Sequence, residues 1–216
     1  MTTRFTPDEF DAAVGDLGWR ALFEGGHACF RTGSFAAGVR FVEAIGRLAE
    51  VAGHHPDVDL RYEAVTVRLS THDSLSLTDR DVSLAREISK AANDLGIQAD
   101  PTAVQVVNLA LDAHVSAQVM PFWRAVLGYE VRGDEDVVDP GGRNPGIWFQ
   151  DMDVPRTGRN RIHVDVAVPH DQARARVDAA LAAGGRVVYD ERAPMWWTLA
   201  DSEGNEVDVA TMVGRR

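Results

Sequence analysis

The spacing of apolar and polar residues changes period along the chain, and the changes mark its elements. Thr6-Pro7-Asp8-Glu9 reads as a capped helix start, with threonine at the cap, proline at the first helical position and glutamate three residues on. That helix is expected to run to about Leu17 and to stop near Gly18. Trp19 to Phe30 reads as two short strands around a turn at Gly25-Gly26. Ser34 opens a second helix, in which Phe35, Val39, Val42, Ile45, Leu48 and Ala49 recur at helical spacing and form one apolar face, with Gly53 as its stop. From Tyr62 to His72 the period becomes two: Val65, Val67 and Leu69 take one face, and Thr66, Arg68, Ser70 and His72 the other. Thr78-Asp79-Arg80-Asp81 resembles another capping box, with aspartate in place of glutamate. It opens a helix with Val82, Ala85, Ile88, Ala92 and Leu95 inward, closing at Gly96. This order predicts an α+β fold in which N-terminal helices pack on a small antiparallel sheet.

The pattern breaks at Gln98-Ala99-Asp100-Pro101-Thr102. We place the end of a first domain at residue 98, a linker over 99–103 and a second domain over 104–216. Ala103 to Leu111 alternates as a strand, Met120 to Val126 is helical with entry at Pro121, and Gly128 ends it. Tyr129–Val131, Val137-Val138 and Gly146–Phe149 are short strands, with a turn at Asp139-Pro140-Gly141-Gly142. The order then repeats. Arg161–Val168 is a strand, Asp171–Ala183 a helix, and Arg186–Tyr189, Trp196–Leu199 and Glu206–Thr211 are strands. Two copies of strand, helix and three strands predict paired βαβββ modules forming a curved sheet.

Composition narrows the function classes. The 216 residues are 45% hydrophobic and carry a net charge of −11. Such a chain has enough apolar residues for two cores. The charge argues against nucleic acid or an anionic membrane surface as the main partner. There is no apolar run of ~18 residues for a spanning helix. Met1-Thr2-Thr3-Arg4-Phe5 lacks an apolar signal core. Cys29 is the only cysteine, so an internal disulfide is impossible and a cytoplasmic location is expected.

Three of the seven histidines fall close together: His54 and His55 just past the second helix, with Pro56 forbidding its continuation, and His72 at the end of the strand-like run. An unperturbed imidazole titrates near pH ~6.5 and moves protons both ways near neutrality, and a helix C-terminus favours its charged form. Three converging imidazoles could serve as acid and base without a metal. Taken alone, an adjacent pair at a helix end also fits solvent-exposed capping.

The stretch from Gly18 to Gly96 resembles the pterin-4a-carbinolamine dehydratases. The resemblance is carried by Gly18-Trp19, Phe41-Val42-Glu43-Ala44, Glu50 four residues before His54, His54-His55-Pro56, Tyr62, Leu69-Ser70-Thr71-His72, and Leu77-Thr78 with Asp81. It implies cofactor-free dehydration of 4a-hydroxytetrahydrobiopterin, in support of tetrahydrobiopterin recycling, by a homo-oligomer (dimer or tetramer). By position, His54, His55 and His72 would be the catalytic histidines. Glu50 and Asp81 would orient them or hold the cleft, and Pro56, Thr71 and Asp73 would line the substrate site. Two positions depart from the family's habit: Val58 stands where many members have an aromatic residue, and Ser76 where a glycine is common. Both bear on substrate choice.

The second half resembles the glyoxalase/bleomycin-resistance (vicinal oxygen chelate) superfamily. Phe122-Trp123-Arg124-Ala125-Val126-Leu127-Gly128-Tyr129, Ile162-His163-Val164-Asp165-Val166 and Asp201-Ser202-Glu203-Gly204-Asn205-Glu206 carry the likeness. Members that hold a divalent metal draw one ligand from each of four strands. The matching positions here are Asn108, Gln150, His163 and Asp208, with Glu206 as a substitute; only His163 and Asp208 are good ligands. The expectation is therefore no catalytic metal and an accessory role. Two alternatives stand beside the dehydratase: a non-catalytic tandem that binds a small aromatic ligand, and a metal-dependent lyase or dioxygenase run by the second half.

Overall fold

A computed structural model describes residues 3–71, 76–154 and 162–213. The chain divides into two compact units, Met1–Val106 and Val107–Arg216.

The first unit is α+β. Strand β1 (Arg4–Phe5) leads into helix α1 (Pro7–Val14), and the expected capping box is formed: Thr6 Oγ1 accepts from the Glu9 N–H, and Glu9 accepts from the Thr6 N–H. Strands β2 (Arg20–Leu22) and β3 (Gly25–Arg31) form a hairpin. Its turn is at Phe23-Glu24, two residues earlier than expected, with Glu24 at φ 69°. Gly26 instead lies in β3 because a Cβ there would come within 2.3 Å of the Phe10 ring; it is needed for packing. Helix α2 (Phe35–Ala52) is capped by the Ser34 hydroxyl. Its buried stripe is Gly38, Phe41, Ile45 and Ala49, with Val42 and Leu48 partly packed. Phe35 and Val39, expected in that stripe, are 50% and 46% exposed. The stripe runs one residue round the helix because Gly38 admits Leu60, whose Cδ1 would sit 2.4 Å from a Cβ.

Strand β4 (Asp57–Leu60), which the sequence pattern did not reveal, pairs antiparallel with β5 (Ala64–Leu69). Val65, Val67 and Leu69 are fully buried, as the alternation requires. Tyr62 lies in the turn between these strands and is exposed. Strand β6 (Leu77–Thr78) pairs with β1 and opens helix α3 (Asp79–Asp94). Its inner face is Val82, Leu84, Ala85, Ile88, Ser89 and Ala92; Leu95 falls beyond the last turn and is exposed. Helices α2 and α3 bury their apolar faces on the sheet in one core with Trp19 and Phe30. The Trp19 indole N–H donates to Ser89 Oγ at 2.9 Å, so the one polar atom of that ring is satisfied inside. Strand β7 (Gln98–Ala99) pairs with β3. The start of the expected linker thus belongs to the sheet, and Asp100 continues the attachment through a 2.8 Å ion pair with Arg31.

The second unit repeats one module. Strand β8 (Leu109–Ala113), helix α4 (Ser116–Leu127), and strands β9 (Glu130–Arg132), β10 (Asp136–Val138) and β11 (Ile147–Asp151) form the first copy. Strand β12 (Val164–Ala167), helix α5 (His170–Ala182), and strands β13 (Arg186–Tyr189), β14 (Trp196–Ala200) and β15 (Glu206–Ala210) form the second. The sheets share one order, β8-β11-β10-β9 and β12-β15-β14-β13, with a parallel pair first in each. Strand β8 begins later than the alternation from Ala103 suggested, at Leu109, and Pro101–Ala103 form a 3-10 turn. Helix α4 begins at Ser116, so Pro121 lies inside it rather than at its entry.

Candidate functional site

Helix α2 ends where its sequence says it must. Gly53 takes the left-handed conformation (φ 56°), the His54 N–H bonds back to the Ala49 carbonyl at 3.2 Å, and Pro56 blocks another turn. This reversal sends the adjacent histidines to different environments. His54 is buried, at 5% exposure; His55 points outward, with 62% of its side chain exposed. Arg80 of α3 donates to the Gly53 carbonyl and ties the two helix ends together.

His54 meets Asp81. Its Nε2 lies 2.7 Å from Asp81 Oδ1, and Asp81 is completely buried. Asp81 occupies the first turn of α3, and His54 follows the C-terminus of α2. The second carboxylate oxygen is also engaged: Oδ2 accepts from the Thr78 N–H at 2.7 Å and lies 2.9 Å from Thr78 Oγ1 and 2.8 Å from Thr71 Oγ1. Thr71 is placed by its antiparallel bridge to Ser76. The Thr78–Asp81 capping box is therefore more than a helix start, because its aspartate is also the partner of His54. Its spacing was legible in the sequence, but a capping box alone gives no sign that its acid faces a histidine.

The other expected residues are placed as follows. Glu50 Oε1 is 3.2 Å from His55 Nε2, on the surface, both side chains being well exposed. Pro56 is half-buried, and Val58, in β4, packs against the core rather than toward solvent. His72 and Asp73 lie outside the described residues. A groove of about 360 Å3 opens between α2 and α3 beside His54; Leu48 and Val51 line one wall, and Arg80, Ser83 and Leu84 the other.

In the second unit His163 Nε2 is 3.6 Å from Glu206 Oε2, and its Nδ1 is 4.0 Å from Asp208 Oδ2. Asp208 Oδ1 and Asn108 Oδ1 are buried without a hydrogen-bond partner. Gln150 is exposed on β11. Among the described residues no group of three or more His, Cys, Asp or Glu side chains is placed to hold a metal ion. A cavity of about 510 Å3 exists in this unit; Glu206 lines it, whereas Asn108, Gln150, His163 and Asp208 do not. Trp197 is core, whereas Trp196 is half-buried and stacks on Tyr189 at 6.2 Å. His114 is exposed, with Nδ1 3.1 Å from the Met152 carbonyl, and His170 opens α5.

The Asp201–Glu206 loop has a structural explanation. Asp201, fully buried, accepts from the Trp123 indole N–H and from the Glu203 and Asn205 N–H groups, all at 2.9 Å. Glu203 accepts from the His114 and Val115 N–H groups at 2.7 Å each, at the uncapped start of α4. The loop thereby fastens the second module to the helix of the first.

Comparison with known families divides the chain at the same place. Residues 3–91 match the pterin 4 alpha carbinolamine dehydratase family, and residues 108–210 match a glyoxalase-like domain. A protein from Roseiflexus sp. (strain RS-1), provisionally named a pterin-4-alpha-carbinolamine dehydratase, is 41% identical over 91 residues, spanning 42% of this chain and 98% of its own. One from Nocardia farcinica with the same provisional name is 42% identical over 94 residues, spanning 43% and 99%. Among solved structures, a transcriptional coactivator/pterin dehydratase from Brucella melitensis aligns with 42% of this chain and 99% of its own at 29% identity and a TM-score of 0.39. A glyoxalase/bleomycin resistance protein/dioxygenase family enzyme from Burkholderia phytofirmans aligns with 51% of this chain and 100% of its own at 16% identity and a TM-score of 0.41.

Proposed function

The chain belongs, through its first unit, to the pterin-4a-carbinolamine dehydratase family, and from that premise we propose that it dehydrates 4a-hydroxytetrahydrobiopterin and so supports tetrahydrobiopterin recycling. In the reaction the C4a–O bond breaks and a C4a=N bond forms. The departing hydroxyl takes up one proton and leaves as water, and the ring N–H gives up its proton to a base. Two proton transfers are all that the protein must supply, and positioned imidazoles suffice for both. One observation carries the reading: a buried His54 held at 2.7 Å by a fully buried Asp81.

In this reading His54 is one acid–base group and Asp81 orients it. His55, paired with Glu50 at the surface, and His72 are the other two histidines of the site. Pro56, Thr71 and Asp73 shape its edge. The groove beside His54 is of a size used for small organic ligands. The glyoxalase-like unit acts as an accessory domain, and the dehydration uses no cofactor. Among the described residues no helix is long and apolar enough to cross a membrane; a cytoplasmic location is proposed from Cys29 being the single cysteine. Assembly as a homo-oligomer is supported by Phe35 and Val39, which leave part of α2 apolar and exposed; light scattering on the purified protein reads the state.

The test is dehydration of 4a-hydroxytetrahydrobiopterin generated by a coupled hydroxylase, with wild type beside His54→Ala and the fold of each checked by circular dichroism. Acceleration over the spontaneous rate that vanishes in a folded variant supports the reading. A folded wild type that gives no acceleration removes it.

A further inference from the structure

The contacts around Asp81 specify more than a histidine beside a carboxylate. An aspartate carboxylate has only acceptors, so in the 2.7 Å contact with Oδ1 it is His54 Nε2 that carries the proton. The other end of the carboxylate is held by counting. The Thr78 N–H, 2.7 Å from Oδ2, can only donate. The Thr71 and Thr78 hydroxyls form a triangle with Oδ2, with sides of 2.8, 2.8 and 2.9 Å. Each hydroxyl has one proton, and the best both can do for each other uses one of the two. Both hydroxyls lie within donating distance of Oδ2, beside the N–H that can only donate to it. Oδ2 is anchored from β6 and from the Thr71 bridge at once, so the carboxylate cannot swing away from His54.

From this geometry, and resting on the dehydratase reading only for its last clause, we infer that Thr71 and Thr78 are positioning residues: through Asp81 they hold neutral His54 as its Nε2–H tautomer, which leaves Nδ1 as the nitrogen that exchanges protons with the substrate. A histidine's free nitrogen is set by what its other nitrogen bonds. Here that partner is a buried carboxylate with no freedom to turn. His55 lacks such a restraint; Glu50, its partner, is 80% exposed on the side chain.

Thr71 is the residue to change, because Thr78 Oγ1 also accepts the Arg80 N–H at 3.2 Å and its loss would uncap α3. Thr71→Val replaces the hydroxyl by a methyl group; Thr71→Ser restores it. The measurement is the long-range 1H–15N spectrum of the histidine rings in the full-length labelled protein, recorded above the imidazole titration, beside kcat and KM for dehydration. Wild-type His54 is expected to show a protonated Nε2 and a bare Nδ1. Thr71→Val is expected to admit the other tautomer and to lower kcat about tenfold, the scale of one hydrogen bond. Thr71→Ser is expected to return both readouts toward wild type. A wild-type ring with its proton on Nδ1 would overturn the inference even if Thr71→Val failed to fold. So would a folded Thr71→Val that moves neither the tautomer nor kcat. If the spectra follow expectation while wild type shows no acceleration, the dehydratase reading falls and the positioning by Thr71 and Thr78 stands.

Discussion

Replacing Asp81 with asparagine isolates what its charge does for His54. Size and shape are kept, and one acceptor becomes an NH2 donor. Thr78 presents an N–H that can only donate, 2.7 Å from Oδ2, so the amide oxygen must take that side. The NH2 group then faces His54 Nε2 at the position now held by Oδ1, 2.7 Å away. Two donors cannot share that contact. Neutral His54 is driven to carry its proton on Nδ1 and to accept at Nε2, which puts the lone pair on the wrong nitrogen for the substrate. Positioned acid–base catalysis is worth about 10²–10⁴-fold, so kcat in Asp81→Asn is expected to fall by about 10² or more. The stability cost is smaller. Hydrogen bonds to a charged acceptor are worth about 1.5–3 kcal/mol and neutral ones about 0.5–1.5, so three weakened contacts cost about 3 kcal/mol together. Release from burying a charge at a site with no solvent exposure offsets part of this, leaving a net loss of about 1–3 kcal/mol. The assay pairs the coupled dehydration rate with urea unfolding. A folded Asp81→Asn protein that turns over as fast as wild type would refute the assignment of His54 and Asp81 to the chemistry.

Other consequences are open to simpler measurement. His27 is nearly buried, and its pKa is lowered, chiefly because burial penalises the imidazolium; the Phe23 carbonyl, 3.1 Å from Nε2, opposes this only in part. The unfolded chain therefore binds the proton first, so stability should fall as pH drops through the unfolded value near ~6.5, and urea midpoints of His27→Gln should show a shallower acid-side decline than wild type. Trp123→Phe removes the indole N–H from the fully buried Asp201 and should cost about 1–3 kcal/mol in the second unit, read by denaturant unfolding; no change would mean that the loop is held by its backbone bonds alone. Gly26→Ala would place a methyl group 2.3 Å from the Phe10 ring and should destabilise the first unit by about 1–3 kcal/mol, a loss visible in its thermal midpoint. Exhaustive treatment with a chelator should leave the dehydration rate unchanged, since that chemistry is assigned to imidazoles; a rate lost on treatment and restored by one divalent ion would contradict it.

Local physics wrote much of this molecule legibly into its sequence. The capping boxes at Thr6–Glu9 and Thr78–Asp81, the glycine stop at Gly53, the two-residue alternation of Val65, Val67 and Leu69, and the doubled βαβββ order all depend on neighbours a few residues apart, and all are present in the structure. The errors arose where a distant residue decides. Phe35 and Val39 have the right spacing for a core stripe, but Leu60 docking at Gly38 rotates the buried face away from them. Gly26 looks like a turn glycine and is one that Phe10 requires. The site follows the same division. That His54 and His55 follow a helix end is a statement about Gly53 and Pro56. That one is buried and the other exposed, and that the acid of a capping box 27 residues away closes on the buried one, are products of α2 and α3 crossing on the sheet. In the second unit, matching strand positions suggested a ligand set, and only the fold shows that His163 comes to 3.6 Å from Glu206 and 4.0 Å from Asp208. Chain-local geometry selects caps, turns and periods, because their energies involve adjacent groups. Which carboxylate meets which imidazole depends on how helices pack, and only the tertiary fold brings residues so far apart in sequence within hydrogen-bonding distance.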